Sequence, residues 1–147
     1  EQQYVTDYIL ENINDKTTKM ETKGPFTTKA GSLLHLRTDI SATLKAPDLL
    51  GKIINAVHPT PAICGIPQNI ASDFILNNEN YNRAFYSGYL GELNINDTTN
   101  LFVNLRCMQI KENKATLYIG GGITNKSIAE KEWDETVAKA EIMKRVL

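Results

Sequence analysis

Apolar residues recur at helical spacing from Tyr4 to Ile13, where Tyr4, Val5, Tyr8, Ile9 and Ile13 form one stripe. The polar stretch from Asn14 to Lys23 ends at the breaker Gly24-Pro25 and reads as a loop. From Ser32 to Lys45 the pattern changes to period two. Leu34, Leu36, Ile40, Ala42 and Leu44 share one face, and His35, Arg37, Asp39, Ser41 and Thr43 share the other, as in a strand or a long bent pair of strands. Pro47-Asp48 opens a helix through Val57, striped by Leu49, Leu50, Ile53, Ile54 and Val57. The prolines of His58-Pro59-Thr60-Pro61 cannot continue it, and Pro67 starts another short helix to about Asn77. Tyr86 to Asn94 is strand-like, with Gly88 and Gly91 marking a bulge or a close backbone approach. Asn96-Asp97 turns the chain into a strand from Leu101 to Ile110. Glu112-Asn113-Lys114 turns it again into a strand from Ala115 to Ile119, which runs into Gly120-Gly121-Gly122. A helical pattern then holds from Ile128 to Leu147, with Trp133, Val137 and Ala140 expected to pack inward. The pattern predicts an α+β fold, a mostly antiparallel sheet with covering helices.

The chain has 147 residues, the size of one domain, and its first helix begins without a cap at Glu1 rather than Met, which suggests part of something longer. Lys and Arg total 16 against 17 Asp and Glu, a net charge of -1, which argues against nucleic acid as a partner. No apolar run is long enough to span a membrane, and no signal peptide opens the chain. Cys64 and Cys107 form no framework and no metal motif, and two reduced thiols fit a cytoplasmic protein.

Candidate chemistry concentrates near the C-terminus. Glu132, Glu135 and Lys139 fall on one helical stripe, and two carboxylates one turn apart can share a hard cation such as Mg2+. By spacing alone, a solvated face with an ordinary Glu135–Lys139 pair explains them better. The amides of Gly120, Gly121 and Gly122 can hold a carboxylate or a phosphate, or the triplet is a flexible turn. Arg106, on a largely apolar strand face, needs a carboxylate partner, either structural or a substrate. His35 and His58 read most simply as structural. Tyr86, beside Gly88, can point its hydroxyl toward whatever the bulge faces.

Taken in order, several segments resemble one family. His58-Pro59-Thr60-Pro61-Ala62-Ile63-Cys64-Gly65-Ile66-Pro67 resembles the HPTPAVCGxP signature of isochorismate synthases. Phe85-Tyr86-Ser87-Gly88 with Gly91 resembles the YSGxxG segment of that family, and Leu105-Arg106-Cys107 its Ile-Arg-Ser/Cys strand. Gly120-Gly121-Gly122-Ile123, with Glu132-Trp133-Asp134-Glu135-Thr136 and Lys139, resembles its glycine loop and EWxET ending. Leu34-His35-Leu36 resembles its HL strand. The resemblance covers about Leu33 to Leu147, and departs from it at Tyr89-Leu90, where Pro-Val is usual, and at Ile119 before three glycines.

The resemblance implies the fold of the chorismate-utilising enzymes, with two lobes and sheets that sandwich each other, of which this chain is the C-terminal portion. It implies Mg2+ as cofactor and chorismate as substrate, isomerised to isochorismate by adding water at C2 and losing the C4 hydroxyl. It implies Glu132 and Glu135 as metal residues, with Glu1 as a further carboxylate. Arg106, Tyr86, Lys139 and the amides of Gly120, Gly121 and Gly122 would then hold substrate carboxylates. His35 would orient the substrate, and Ala62 and Ile63 would line the pocket. The lysine that activates water and the glutamate that protonates the leaving group lie upstream in the family, so the chain alone is expected to be inactive and to self-associate through uncovered sheet surface. A non-catalytic carboxylate-binding module and a sister synthase making salicylate or an aminated product are the alternatives. Both menaquinone and siderophore synthesis use such an enzyme.

Overall fold

The computed structural model describes residues 2–30, 33–145 and 147. The chain divides into two compact units, residues 1–72 and 73–147.

In the first unit, helix α1 (Gln2–Ile13) leads through a turn of 3-10 helix, Asn14–Lys16, into strand β1 (Thr17–Ala30), which pairs antiparallel with β2 (Leu33–Leu44). The segment read as a loop, Asn14 to Gly24, is therefore mostly strand. Its polar residues pair with the alternating strand opposite, and the Gly24-Pro25 breaker is absorbed as a bulge. Proline offers no ladder donor, and the register shifts between Lys23 and Phe26. Gly24 has φ +115°, and a Cβ there would lie 2.7 Å from the Arg37 carbonyl oxygen, so the crossing requires glycine. Beyond the bulge, Arg37 lies over the Phe26 ring at 5.7 Å and pairs with Asp39 at 2.7 Å. The hairpin base is tied by Lys45 N to Lys16 O (3.0 Å) and by the Thr17 hydroxyl donating to Ile13 O (3.0 Å). A 3-10 turn, Pro47–Leu49, precedes α2 (Leu50–Val57), against which Tyr8 of α1 donates to Ala56 O (3.2 Å).

Helix α3 (Gln68–Asn78) runs from residues of the first unit into residues of the second. The second unit continues with two antiparallel hairpins, β3 (Tyr89–Ile95) with β4 (Thr98–Val103), and β5 (Cys107–Lys111) with β6 (Lys114–Tyr118). Helix α4 (Ala129–Lys144) closes it. At Gly91, φ is +151° and a Cβ would fall 1.9 Å from Asn100 O, the close approach the sequence implies. The single strand expected from Leu101 to Ile110 is broken. Asn104 turns its backbone toward the preceding loop, and Arg106 sits at φ +47° in the break between β4 and β5.

Among the described residues Ile13 is the one buried hydrophobic. Leu34, Leu36, Phe74, Phe102 and Trp133 are exposed, so among the described residues the apolar faces of β2, β4 and α4 have no cover. The inward packing expected of Trp133 and Val137 is accordingly absent among the described residues, and Ala140 is half-buried. No described helix is long and apolar enough to cross a membrane.

Candidate functional site

The site is built in the second unit from a tight turn, the glycine loop and α4. The turn spans residues 83–88. Tyr86 N donates to Arg83 O (2.8 Å), Gly88 N to Phe85 O (3.2 Å), and Ala84 N to the Asn82 side chain (2.8 Å). Ala84 and Ser87 take positive φ, +50° and +62°, a conformation disfavoured for residues other than glycine. Asn104 holds the turn from the other side. Its N–H donates to Gly88 O (2.8 Å), its carbonyl accepts from Ser87 N (2.9 Å), and its side-chain amide donates to Phe85 O (2.9 Å). These bonds take the backbone groups a continuous strand would have used, which is why the ladder stops before Arg106.

The turn aims Tyr86 at the glycine loop. Its ring stacks on Tyr118 of β6, with centroids 5.7 Å apart. A Cβ on Gly120 would lie 2.6 Å from the Tyr86 hydroxyl oxygen, so glycine is what lets the phenol reach this backbone. Burial first, then the neighbouring Tyr81, pushes the Tyr86 phenol above the ordinary tyrosine value, which keeps it a protonated donor near neutral pH.

One residue on, the α4 stripe arrives at the same loop. A Cβ built on Gly121 would lie 3.7 Å from Glu132 Oε2, 3.9 Å from Glu135 Oε1 and 3.9 Å from Lys139 Nζ. Lys139 pairs with Glu135 and donates to Gly120 O (3.2 Å). The helix is started without a side-chain cap at Ile128. Instead a self-closed turn, Thr124 N to Ser127 Oγ (3.1 Å) and Ser127 N to Thr124 O (3.0 Å), sets its entry. Glu132 in the first turn also suits the helix dipole.

The structure thus brings Tyr86, Gly120, Gly121, Glu132, Glu135 and Lys139 together. Gly122 continues the same loop. Arg106 is half-buried, and among the described residues it has no hydrogen-bond or ion-pair partner. The remaining candidates belong to the first unit. His35 lies on β2 opposite Thr28, its Nε2 buried with no hydrogen-bond partner among the described residues. Ala62 and Ile63 lie in the proline-rich turn after α2, where Ile63 N donates to Thr60 O (2.9 Å). Burial pushes the nearby His58 imidazole down. Glu1 lies outside the described residues.

The donor set at Gly121 fits a hard divalent cation. Mg2+ is commonly bound through one or two carboxylates and completes its shell with water and substrate oxygens, and Glu132 and Glu135 offer two carboxylates beside a loop with no side chains to block it. No group of three or more His, Cys, Asp or Glu residues suited to a metal occurs among the described residues.

Sequence reasoning missed the residues behind the turn. Arg83 chelates Glu79 through two bonds, 2.6 and 2.5 Å, donates to Ser87 Oγ (3.0 Å), and lies 5.7 Å over the Tyr86 ring. The signal was present as an i, i+4 Glu–Arg pair just ahead of Tyr86-Ser87-Gly88.

A family model described as chorismate binding enzyme matches residues 1–147. The chain is 33% identical over 124 residues to the isochorismate synthase DhbC of Bacillus subtilis, covering 84% of this chain and 31% of that protein. It is 30% identical over 148 residues to the isochorismate synthase MenF of Escherichia coli, covering 100% of this chain and 34% of that one. The crystal structure described as 2,3-dihydroxybenzoate-specific isochorismate synthase DhbC from Bacillus anthracis superimposes with a TM-score of 0.84 at 30% identity, over 95% of this chain and 38% of that chain. The chain spans about a third of the length of the curated relatives it matches. With the whole sequence under that model and the fold shared with a solved isochorismate synthase, the chain belongs to the chorismate binding enzyme family.

Proposed function

We propose that this chain forms the carboxylate- and Mg2+-binding part of an isochorismate synthase, which adds water at C2 of chorismate and expels the C4 hydroxyl. The observation that carries this is the convergence of Glu132, Glu135 and Lys139 on Gly121, with the Tyr86 hydroxyl against Gly120. Chorismate carries two carboxylates, and a site for it needs cations and donors around an accessible backbone.

The chain's own groups supply these. Lys139 spends one donor on Gly120 O and one on Glu135, leaving a third for a substrate oxygen. Tyr86 donates from its hydroxyl, and the amides of Gly120, Gly121 and Gly122 are open to an anion because no Cβ covers them. Arg106, whose guanidinium has no partner among the described residues, suits bidentate capture of the second carboxylate. Glu132 and Glu135 would hold Mg2+, which would supply positive charge beside a substrate carboxylate and offset the repulsion among the anions. By the resemblance alone, His35 is assigned to substrate orientation and Ala62 and Ile63 to pocket lining; the His35 Nε2 is buried without a hydrogen-bond partner among the described residues. Addition of water at C2 needs a base and loss of the C4 hydroxyl an acid, and these roles are assigned to no residue of this chain. The reading assigns the enzyme to the cytoplasm, where the thiols of Cys64 and Cys107 stay reduced.

Calorimetric titration of the chain with Mg2+ in the presence of chorismate tests this. Saturable heat is expected, and Glu132→Gln together with Glu135→Gln should abolish it. No heat beyond dilution from a folded sample would overturn the reading. Chorismate turnover by the 147-residue chain at a rate near that of a full-length relative would overturn the assignment of the acid and base.

A further inference from the structure

We propose that Arg83, anchored by Glu79, is the positioning residue for Tyr86: it holds the ring so that the hydroxyl meets the backbone at Gly120. The inference rests on the reading above, in which that hydroxyl receives a substrate carboxylate.

The geometry makes Arg83 the hub of the turn. One guanidinium binds the Glu79 carboxylate at two points, the Ser87 hydroxyl at a third, and covers one region of the Tyr86 ring. Ser87 in turn donates to Tyr86 O (2.6 Å). Tyr118 also stacks on the ring, at 25°, so a guanidinium and a second phenol both lie against it. Arg83 and Glu79 are each about three-quarters buried at the side chain, 24% and 29% exposed, so the pair is shielded enough to be more than a surface ion pair. The backbone needs such a fastening. Ala84 and Ser87 hold positive φ, and residues in that region persist only where the surroundings over-determine them. Lysine could supply the charge but not the planar fork that reaches Glu79 and Ser87 together.

The charges around the phenol give the proposal a measurable sign. Burial, Tyr81, Glu79 and Cys107 raise the Tyr86 value, and Arg83 lowers it. Lys139 is the further cation at this loop, bound to Gly120 O. Removing the Arg83 charge therefore moves the phenol up, while loss of the ring's seat also separates it from Gly120.

A double-mutant cycle on the 147-residue chain tests this, read by calorimetric titration with chorismate in the presence of Mg2+. Tyr86→Phe should weaken binding about tenfold, the loss of one charge-assisted hydrogen bond. Arg83→Gln should weaken it by a similar factor, Arg83→Lys should not restore it, and Arg83→Gln combined with Tyr86→Phe should be no weaker than Tyr86→Phe alone. Losses that multiply, or wild-type affinity in Arg83→Lys, would overturn the proposal. A second readout needs no ligand: with tyrosines labelled at Cζ, the Tyr86 signal should titrate higher in Arg83→Gln, and the contact between its ring protons and the Gly120 α protons should disappear from NOE spectra. If that contact is lost in Arg83→Gln while the parent chain binds no chorismate, the positioning stands and the function reading fails. If the contact survives, the positioning role is refuted.

Discussion

Two adjacent glycines in one loop face different neighbours, and this separates what each can tolerate. A methyl on Gly120 collides with the Tyr86 hydroxyl at 2.6 Å, whereas on Gly121 it meets Glu132, Glu135 and Lys139 at ordinary contact distances of 3.7 to 3.9 Å. Gly120→Ala should therefore displace the phenol and weaken chorismate binding about tenfold, with Gly121→Ala closer to the parent chain; calorimetry on the two variants checks the contrast. Asn104 is a second sensitive position. Its side chain fastens the turn below Tyr86, and its backbone sets the break that leads to Arg106, two residues on. Asn104→Ala should impair binding without touching ligand, and the Tyr86–Gly120 contact in NOE spectra shows whether the turn has moved. At this scale the sequence was partly legible. The spacing of Glu132, Glu135 and Lys139 put them on one stripe, but spacing alone favoured a solvated face. The decisive fact, that a bare backbone lies against the stripe, is tertiary. Glu79 and Arg83 went unread because an i, i+4 pair is common on any helix and nothing in their spacing points to a tyrosine ring.

Among elements, the β3–β4 hairpin depends most visibly on one residue. Gly91→Ala would put a Cβ 1.9 Å from Asn100 O at φ +151°, and should cost more than ~2 kcal/mol in urea unfolding followed by the fluorescence of Trp133. The Glu79–Arg83 link between the end of α3 and the turn before β3 carries a pH dependence. Its hydrogen bonds to Arg83, foremost among the causes, hold the Glu79 carboxyl below the usual carboxylate range. A depressed carboxylate contributes fully above its unfolded value and loses its contribution as pH falls through the folded one. Stability should thus be insensitive to this group from about pH 7 to 5 and fall at pH below about 4, and Glu79→Gln should remove that part of the acid loss. Most elements could be read from period and punctuation: α1, β2, α2, α3, β6 and α4 lie within a few residues of where the pattern puts them. The two misreadings have physical causes. β1 is polar on both faces and so carries no alternation. The single strand expected from Leu101 to Ile110 is instead two, because the bonds that break it come from a turn some sixteen residues earlier, around Ser87 and Gly88.

For the whole molecule, composition described an ordinary globular chain, and it did not reveal that the apolar faces of β2, β4 and α4 have no partner within these residues. Faces of this kind, with Leu34 at 71% and Trp133 at 69% exposure, favour association. Light scattering should show mass rising with concentration, and a monomer over a wide range would refute it. The near-absence of buried side chains has a calorimetric consequence as well. The heat capacity gained on melting tracks the hydrocarbon newly wetted, and a fully packed chain of this length would gain about 2 kcal/mol/K. With Ile13 as the one buried hydrophobic among the described residues, this chain has less to wet when monomeric. Its melting endotherm should be broad and shallow in dilute solution, and should sharpen wherever another surface dries those faces.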